Sequence, residues 1–435
     1  MIRFVYNLLF PIALLVFLPG YVAKMRRRGN YRRNFGQRFG IYSDAVRKRS
    51  DSGSTTWIHA VSVGEVAIAL KLAAKLRELD PSFRCVLTTT TTTGFAVAEK
   101  QASDWLQVMY NALDFLPIVR RAFAVIRPSR IILVEAEVWP NLAAEAHRRR
   151  IPLALVNARL SARSEARFRR VHALVAPTFR CLDLVCAQES QDIERWHALG
   201  VPRDRIRDVG SIKYDPAEKQ PTADFPFDVL QQFGIGTEAP IFLGGSTHAG
   251  EEEILGNVLR SLRSTSENAR LIIAPRHVER TREIRAQLEA QGWTVAQRSE
   301  AGAAPQEAPD CLLLDTTGEL RHWYAVATVV FIGKSLTANG GQNPVEPILA
   351  GKPVVFGPHM ENFARLAHSL IDSNAAVQVK DGGALATRAA ELLRDSDARE
   401  RLVKNAERVI AIHRGATQRT AELVRSLKSH ANAAG

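Results

Sequence analysis

Cysteine is scarce in this chain, and several familiar signatures are missing. Cys85, Cys181, Cys186 and Cys311 are its only four cysteines; they form no Cys-x-x-Cys pair and join no histidine at metal-ligand spacing. That excludes a disulfide scaffold and a thiolate metal centre, and predicts reduced core thiols in a reducing compartment. There is no His-Glu-x-x-His sequence and no Asp-rich loop, so no metal is expected. Gly333-Lys334-Ser335 imitates the tail of a P-loop, but residue 328, where that motif needs glycine, is Thr328. Beyond the threonine run Thr88 to Thr93 no low-complexity tract or internal repeat is visible.

Charge is absent from Phe4 to Ala23, and acid is nearly absent from the segment that follows. From Lys24 to Arg49 ten lysines and arginines face one acid, Asp44, within a chain of net charge +13. A basic run of this kind attracts nucleic acid or an anionic membrane surface. Its place directly after about 20 uncharged residues, just enough to span a bilayer as a helix, favours the membrane. Pro11 and Pro19 weaken that span and leave a shallow or re-entrant anchor open. A cleaved signal would carry its basic residues first, whereas here Arg3 precedes and the cluster follows. The positive-inside rule then keeps the body of the protein cytoplasmic. A buried core helix is the remaining reading of the segment.

What the chain does contain is alternation. At 435 residues, 46% hydrophobic and 24% charged, it is long enough for two domains. Trp57 to Ala60, Cys85 to Thr90, Leu106 to Tyr110, Arg130 to Val134, Pro152 to Val156 and Leu182 to Ala187 read as buried parallel strands. Amphipathic stretches such as Ala67 to Leu79 and Asp114 to Ile126 separate them. From Tyr214 to Pro240 the pattern lapses into Pro, Asp, Gln and Gly. A second series then runs through Ile241 to Gly244, Leu271 to Ala274, Cys311 to Leu314, Val329 to Ile332 and Pro353 to Phe356. It ends in the helical stretches Ala384 to His413 and Thr417 to Lys428. Two Rossmann-like α/β halves facing a cleft are expected, each with its switch point toward that cleft. The boundaries are an N-terminal anchor over 1–24, an acceptor domain over 25–213, a linker over 214–239 and a nucleotide domain over 240–435.

The polar residues cluster where such strands end. Val61-Ser62-Val63-Gly64-Glu65 follows the first strand, so Glu65 lies near a helix start at a carboxyl edge; a plain helix-dipole role is the alternative. Glu135 and Glu137 flank Ala136 after Ile131 to Val134 and point to the same side if the chain stays extended. Lys213, in Gly210-Ser211-Ile212-Lys213-Tyr214-Asp215, could reach a leaving phosphate or pair with Asp215. In the second half, Gly244 to His248, Pro275-Arg276-His277, Asp315 to Glu319, Gly340 to Glu346 and Gly357 to Phe363 all follow strands. Arg276 suits a phosphate or carboxylate fork. Asn343 reads as an N-cap with Pro344 at the first helical position, leaving Glu346 to bond sugar hydroxyls. Glycine turns and helix starts suit anions, and the layout is that expected of a two-domain sugar transferase.

Seven ordered blocks sharpen this reading: Ser62-Val63-Gly64-Glu65, Glu135 to Asn141, Asn157-Ala158-Arg159-Leu160-Ser161, Gly210 to Asp215, Ser246-Thr247-His248, Pro275-Arg276-His277 and Gly340 to Pro347. From about Tyr31 to about Lys380, and in its N-terminal apolar segment, the sequence resembles the bacterial 3-deoxy-D-manno-octulosonic acid (Kdo) transferases. The resemblance implies a GT-B fold and metal-independent, cofactor-free, inverting transfer of Kdo from CMP-Kdo to a lipid A precursor. It implies Glu65 as base, Glu135 and Lys213 as transition-state stabilisers, and Pro275, Arg276, Thr317, Gly318, Glu319, Asn343, Pro344, Val345 and Glu346 as CMP contacts. It also implies the cell inner membrane, with an anionic inner leaflet and no nucleic acid as partner. Four positions depart from the family's usual residues: Ala136 for Thr, Lys334 for Gly, Gln342 for His and Val345 for Leu. Lys334 and Gln342 bear on the donor side. Another GT-B nucleotide-sugar enzyme, a lipid glycosyltransferase or a sugar-nucleotide epimerase, is the alternative; a membrane adaptor without activity is a third.

Overall fold

The computed structural model describes residues 2–28, 34–44, 46, 54–160, 162–215, 225–302 and 307–427. Much of the basic run and residues 216–224 of the expected linker lie outside the described residues. The chain divides into two compact units, Met1–Asp215 with His413–Gly435, and Pro216–Ile412.

The first unit is built on a seven-stranded parallel sheet of order β3-β2-β1-β4-β5-β6-β7. The strands are β1 (Thr55–His59), β2 (Cys85–Thr89), β3 (Leu106–Tyr110), β4 (Pro128–Val134), β5 (Leu153–Ala158), β6 (Leu184–Ala187) and β7 (Ile206–Asp208). Alternate side chains fill two cores on opposite faces. Trp57, Ile131, Leu133, Leu155 and Val185 belong to one. Ile58, Ile132, Val134, Val156 and Cys186 belong to the other. Both faces are therefore covered by helices, the condition under which parallel strands become near-continuous apolar runs.

The second unit repeats the plan with order β10-β11-β9-β8-β12-β13-β14, again parallel in every pairing. Its strands are β8 (Ile241–Thr247), β9 (Arg270–Pro275), β10 (Val295–Gln297), β11 (Cys311–Leu313), β12 (Val329–Ile332), β13 (Val354–Phe356) and β14 (Val377–Gln378). In each sheet the order reverses beside the first strand, between β1 and β4 and between β8 and β12, where ligand crevices form. The expected strands are present. β7, β10 and β14 were not expected; all three are short edge strands in which Arg207, Asp208, Gln297 and Gln378 leave no apolar run.

Two boundaries differ from expectation. The segment assigned to the linker contains the helix Phe225–Gln232, whose Pro226, Val229 and Leu230 are buried in the second unit. The C-terminal segment belongs to the first unit, so the second does not extend over 240–435. The helix Ala416–Ser426 buries Ala421 and Val424 in the core beneath β1 and β4. Asp215 fastens it, accepting the N–H groups of Gly415 and Thr417 at 2.7 Å each. The single stretch expected over Ala384 to His413 breaks at Asp395, which ends the helix Gly382–Arg394 and caps the helix Ser396–Ala411 by accepting from Ala398.

The apolar N-terminus forms one helix, Ile2–Arg28. Phe4, Leu8, Ile12, Leu15 and Val16 are exposed along it. Tyr6 and Asn7 turn instead to the first unit and hydrogen-bond there, and Phe10 stacks on Phe115. Among the described residues no helix is long and apolar enough to cross a membrane. Cys85, Cys186 and Cys311 are buried free thiols and Cys181 is half-buried; burial pushes Cys186 up to about 12.

Asp215→Ala removes both acceptors from the start of the C-terminal helix. The variant should lose about 2 kcal/mol of stability, read as a lowered urea midpoint for the first unit.

Candidate active site

In the first unit the chain leaves β1 through Val61 and enters the helix Val63–Leu79 at Ser62. Ser62 is an extended N-cap whose hydroxyl accepts from the Glu65 N–H, and Glu65 reaches back to complete a capping box. Its carboxylate accepts from Val61 N at 2.9 Å, Ser62 N at 3.3 Å and Ser62 Oγ at 2.8 Å. Oε2 receives one of these three bonds, which leaves it a lone pair. The helix-cap role therefore leaves one carboxylate oxygen with room for a further bond. Thr89 and Thr91 hold the turn from below, both donating to the Val61 carbonyl.

Across the switch point, Glu135 follows β4 in the left-handed region, φ 63°, while its N–H continues the ladder to Val156 O. That conformation costs about 1 kcal/mol for a residue with a Cβ and turns the carboxylate out of the strand. Burial raises the Glu135 carboxyl; Arg159 opposes the rise, Glu65 adds to it, and Lys213 opposes it. Lys213 is lowered, first by burial, against the attraction of Glu135. Glu137 is pushed up to about 7, first by burial, then by Glu65 and Glu135. The fold thus gathers Glu65, Glu135 and Lys213 into one electrostatic cluster, with Glu137 and Arg159 as further members.

Asp215, the alternative partner for Lys213, uses its carboxylate to hold the C-terminal helix. The loop that carries Lys213 is held by Asn157, itself at φ 50°. Asn157 Oδ1 accepts from Ser211 Oγ at 3.1 Å and Ile212 N at 2.9 Å. His413 Nδ1 accepts from Ser211 N, and burial lowers this imidazole to about 4, so it stays neutral as that acceptor requires. Asn157, Arg159 and His413 escaped assignment from sequence; only the block Asn157 to Ser161 marked the first two.

In the second unit the nominated residues all follow strand carboxyl ends, as expected. Pro275 is buried at the end of β9, and the exposed Arg276 extends beyond it, its N–H on Thr247 O. Thr317 and Gly318 lie exposed past β11, Gly318 at φ 88°. Glu319 pairs with Arg298 at 3.4 Å. After β12, Asn343 Oδ1 accepts from Val345 N at 3.0 Å, but the helix runs over Val345–Leu349 with Pro344 as its N-cap. The cap chemistry is therefore Asn343's, while the helix starts one residue later than expected. Glu346, exposed by area yet enclosed by surrounding protein, has its carboxyl raised by desolvation against a bond from Asn343 and the charge of Arg321.

The feature that sequence reasoning missed here is Glu251. Its buried carboxylate accepts four backbone N–H groups, from His248 and Lys334 on Oε2 and from Ser335 and Leu336 on Oε1, at 2.8 to 3.0 Å. It locks the turns after β8 and β12 together. Those turns touch so closely that a Cβ on Gly333 would lie 2.3 Å from Ser246 O. Lys334 adopts φ 57°, a glycine-like conformation, at the position where the resembled family carries glycine. Among the described residues no group of His, Cys, Asp or Glu could hold a metal ion.

Two outcomes follow from these contacts. Lys334→Gly relieves the left-handed backbone and should raise stability by up to about 1 kcal/mol, read by thermal unfolding. Glu137 keeps its proton up to about pH 7 in the folded chain, against an ordinary value of 4.5. Its contribution to stability is therefore complete below 4.5 and is lost as pH rises through 7. Glu137→Gln should flatten that part of the stability profile, seen in urea midpoints across the same window.

Residues 33–216 match the family model described as 3-Deoxy-D-manno-octulosonic-acid transferase (kdotransferase). The 3-deoxy-D-manno-octulosonic acid transferase of Haemophilus influenzae is 32% identical over 396 residues, covering 91% of each chain. The Bordetella pertussis enzyme of the same name is 34% identical over 373 residues, 84% of this chain and 85% of its own. Among solved structures, the UDP-GlcNAc 2-epimerase from Neisseria meningitidis aligns at TM-score 0.57 and 12% identity, over 86% of this chain and all of that one. The kitacinnamycin glycotransferase aligns at TM-score 0.53 and 15% identity, over 86% and 99%. These structural likenesses are of fold alone, the GT-B-like pairing of two parallel-sheet α/β domains. The sequence relationship reaches further: the chain belongs to the family of 3-deoxy-D-manno-octulosonic acid transferases.

Proposed function

We propose that this protein transfers Kdo from CMP-Kdo to a lipid A precursor, with inversion at the anomeric carbon and without a metal. The observation that carries the proposal is the Glu65–Glu135–Lys213 cluster at the first sheet's switch point, in a chain of this family. A sugar hydroxyl is a weak nucleophile until its proton is removed as the new bond forms. The open lone pair of Glu65 Oε2 takes that proton while the hydroxyl oxygen attacks the anomeric carbon. The bond from that carbon to the CMP phosphate oxygen breaks, and CMP leaves with the electron pair. It needs no proton, but its phosphate gains charge in the transition state. Lys213, beside the base, is a cation that binds it better as it departs, which is where binding accelerates the reaction. Glu135, beside Lys213 and Arg159, completes the stabilising set. Asn343 to Glu346 with Pro275 and Thr317 to Glu319 form the CMP side.

The N-terminal helix, with its exposed apolar face, and the basic run up to Arg49 would hold the protein on the anionic inner leaflet of the cell inner membrane. There the catalytic units stay cytoplasmic and the lipid acceptor is at hand. The fold is shared with a UDP-sugar epimerase, so donor choice separates this reading from its rival.

The test is transfer from CMP-Kdo, generated in place, to a lipid A precursor in detergent with EDTA present. Wild type should form Kdo-bearing product, and Glu65→Gln should lose on the order of 10²- to 10⁴-fold in rate. Equal rates would remove Glu65 from its role. No transfer by wild type that still binds CMP would point to another donor sugar or acceptor, and turnover of UDP-sugars alone would favour the epimerase reading.

A further inference from the structure

The helix Ile2–Arg28 does more than offer an apolar face. Tyr6 and Asn7 enter a polar cluster at the carboxyl edge of the first sheet, where two helices begin without a side-chain cap of their own. The helix Leu116–Ile126 starts after Phe115 and the helix Pro140–Arg148 after Trp139, and neither N-cap side chain bonds the backbone. Helix starts leave N–H groups that require partners. Asn7 Oδ1 accepts from Leu116 N at 3.1 Å and so caps the first. Asp114, 6% exposed, accepts from Asn141 N at 3.0 Å and Leu142 N at 2.9 Å and so caps the second.

The two caps are joined. Asn7 and Asn141 pair amide to amide, each Nδ2 donating to the other's Oδ1 at 2.9 Å. Asn141 Nδ2 also donates to Asp114 O at 2.7 Å, and Tyr6 donates its hydroxyl to Asp114 Oδ2 at 3.1 Å. Asn141 is 1% exposed, and Phe10 stacks on Phe115 beside the cluster. Burial pushes Asp114 up to about 7, while the donors Asn141, Leu142 and Tyr6 each favour its charged, capping form.

This cluster borders the turn that bears Glu135 and Glu137. That turn is held by few bonds: within it the Trp139 side chain donates to the Glu137 carboxylate. Its first residue is tied to β5 through Glu135 N, and inside it the backbone makes one bond, from Val138 N to Ala136 O. Its far end is the start of the helix Pro140–Arg148, which the Asp114–Asn141 cap fixes. We propose that Tyr6 and Asn7 are positioning residues of the reaction: the N-terminal helix is a working part of the catalytic unit, setting the Glu135–Glu137 turn through Asp114 and Asn141. The proposal rests on the reading of Glu135 as part of the transferring site.

The test uses full-length protein in detergent micelles, where no bilayer orients the helix. Tyr6→Phe, Asn7→Ala and Asn7→Asp are compared with wild type. Asn7→Ala should lower kcat for Kdo transfer about tenfold, as expected for a displaced catalytic group, with KM for CMP-Kdo unchanged. Tyr6→Phe should lower it several-fold. Asn7→Asp keeps the acceptor for Leu116 and should recover part of the rate. Acrylamide quenching of Trp139, taken as the difference from Trp139→Phe, reads the turn without any substrate and should rise in Asn7→Ala and Tyr6→Phe. Should Asn7→Ala not fold, Tyr6→Phe, which lacks a single hydroxyl, carries both readouts. Unchanged kcat and unchanged quenching in the folded variants would overturn the proposal. An inactive wild type would sink the transferase reading instead, and the quenching would still decide whether the latch holds the turn.

Discussion

The arrangement depends first on a reciprocal helix cap. A parallel strand that ends at a switch point hands the chain to a helix, and the helix start leaves N–H groups in need of acceptors. At the end of β1 the acceptor is Glu65, whose own carboxylate is gripped by Val61 N, Ser62 N and Ser62 Oγ. The interaction that starts the helix therefore also aims the carboxylate. Glu135 reaches the same cluster from β4 because the sheet order places β4 next to β1. The order of the strands brings residues 65 and 135 together, and the loop after the edge strand β7, held by Asn157 of β5, brings Lys213 back to them.

The same physics recurs throughout the chain, with buried carboxylates serving as staples for backbone N–H groups. Asp215 closes the C-terminal helix, Asp114 the helix Pro140–Arg148, and Glu251 the turns after β8 and β12. Charge-assisted bonds of this type are stronger than neutral ones, and a buried carboxylate stripped of its donors would be costly. Each staple thus fixes one geometry at a strand's carboxyl edge, where the loops would otherwise be the least ordered part of an α/β unit. The left-handed residues Glu135, Asn157, Ser246 and Lys334 lie at those same edges. Backbone strain is tolerated there because the staples and ladders over-determine the turns.

The buried parallel strands were legible because apolar runs such as Ile131 to Val134 survive in any context. The edge strands β7, β10 and β14 were not, since their polar residues, such as Asp208 and Gln378, leave no apolar run. The return of the C-terminal helix to the first unit was hidden as well. It rests on Asp215 meeting Gly415 and Thr417 two hundred positions later, a contact without a local trace. At the site, Glu65, Glu135 and Lys213 could be named from ordered motifs at strand ends, whereas the approach of the first two follows from sheet order and that of Lys213 from the loop held by Asn157. Glu251 stands first among three consecutive acids at a helix start, and only the folded turns reveal that it binds four N–H groups. Asn7 and Tyr6 were masked by the apolar segment around them, whose composition suggested a membrane and not a cap.

Ser62→Ala puts the central claim to the most direct trial, because it removes one bond to the Glu65 carboxylate and leaves the carboxylate itself in place. Single-turnover transfer from CMP-Kdo to the lipid A precursor should slow by about tenfold or more, as for a misaimed base, while CMP affinity stays at the wild-type value. An unchanged single-turnover rate in the folded variant would mean that the cap does not aim the base, and the link between helix start and chemistry would be lost.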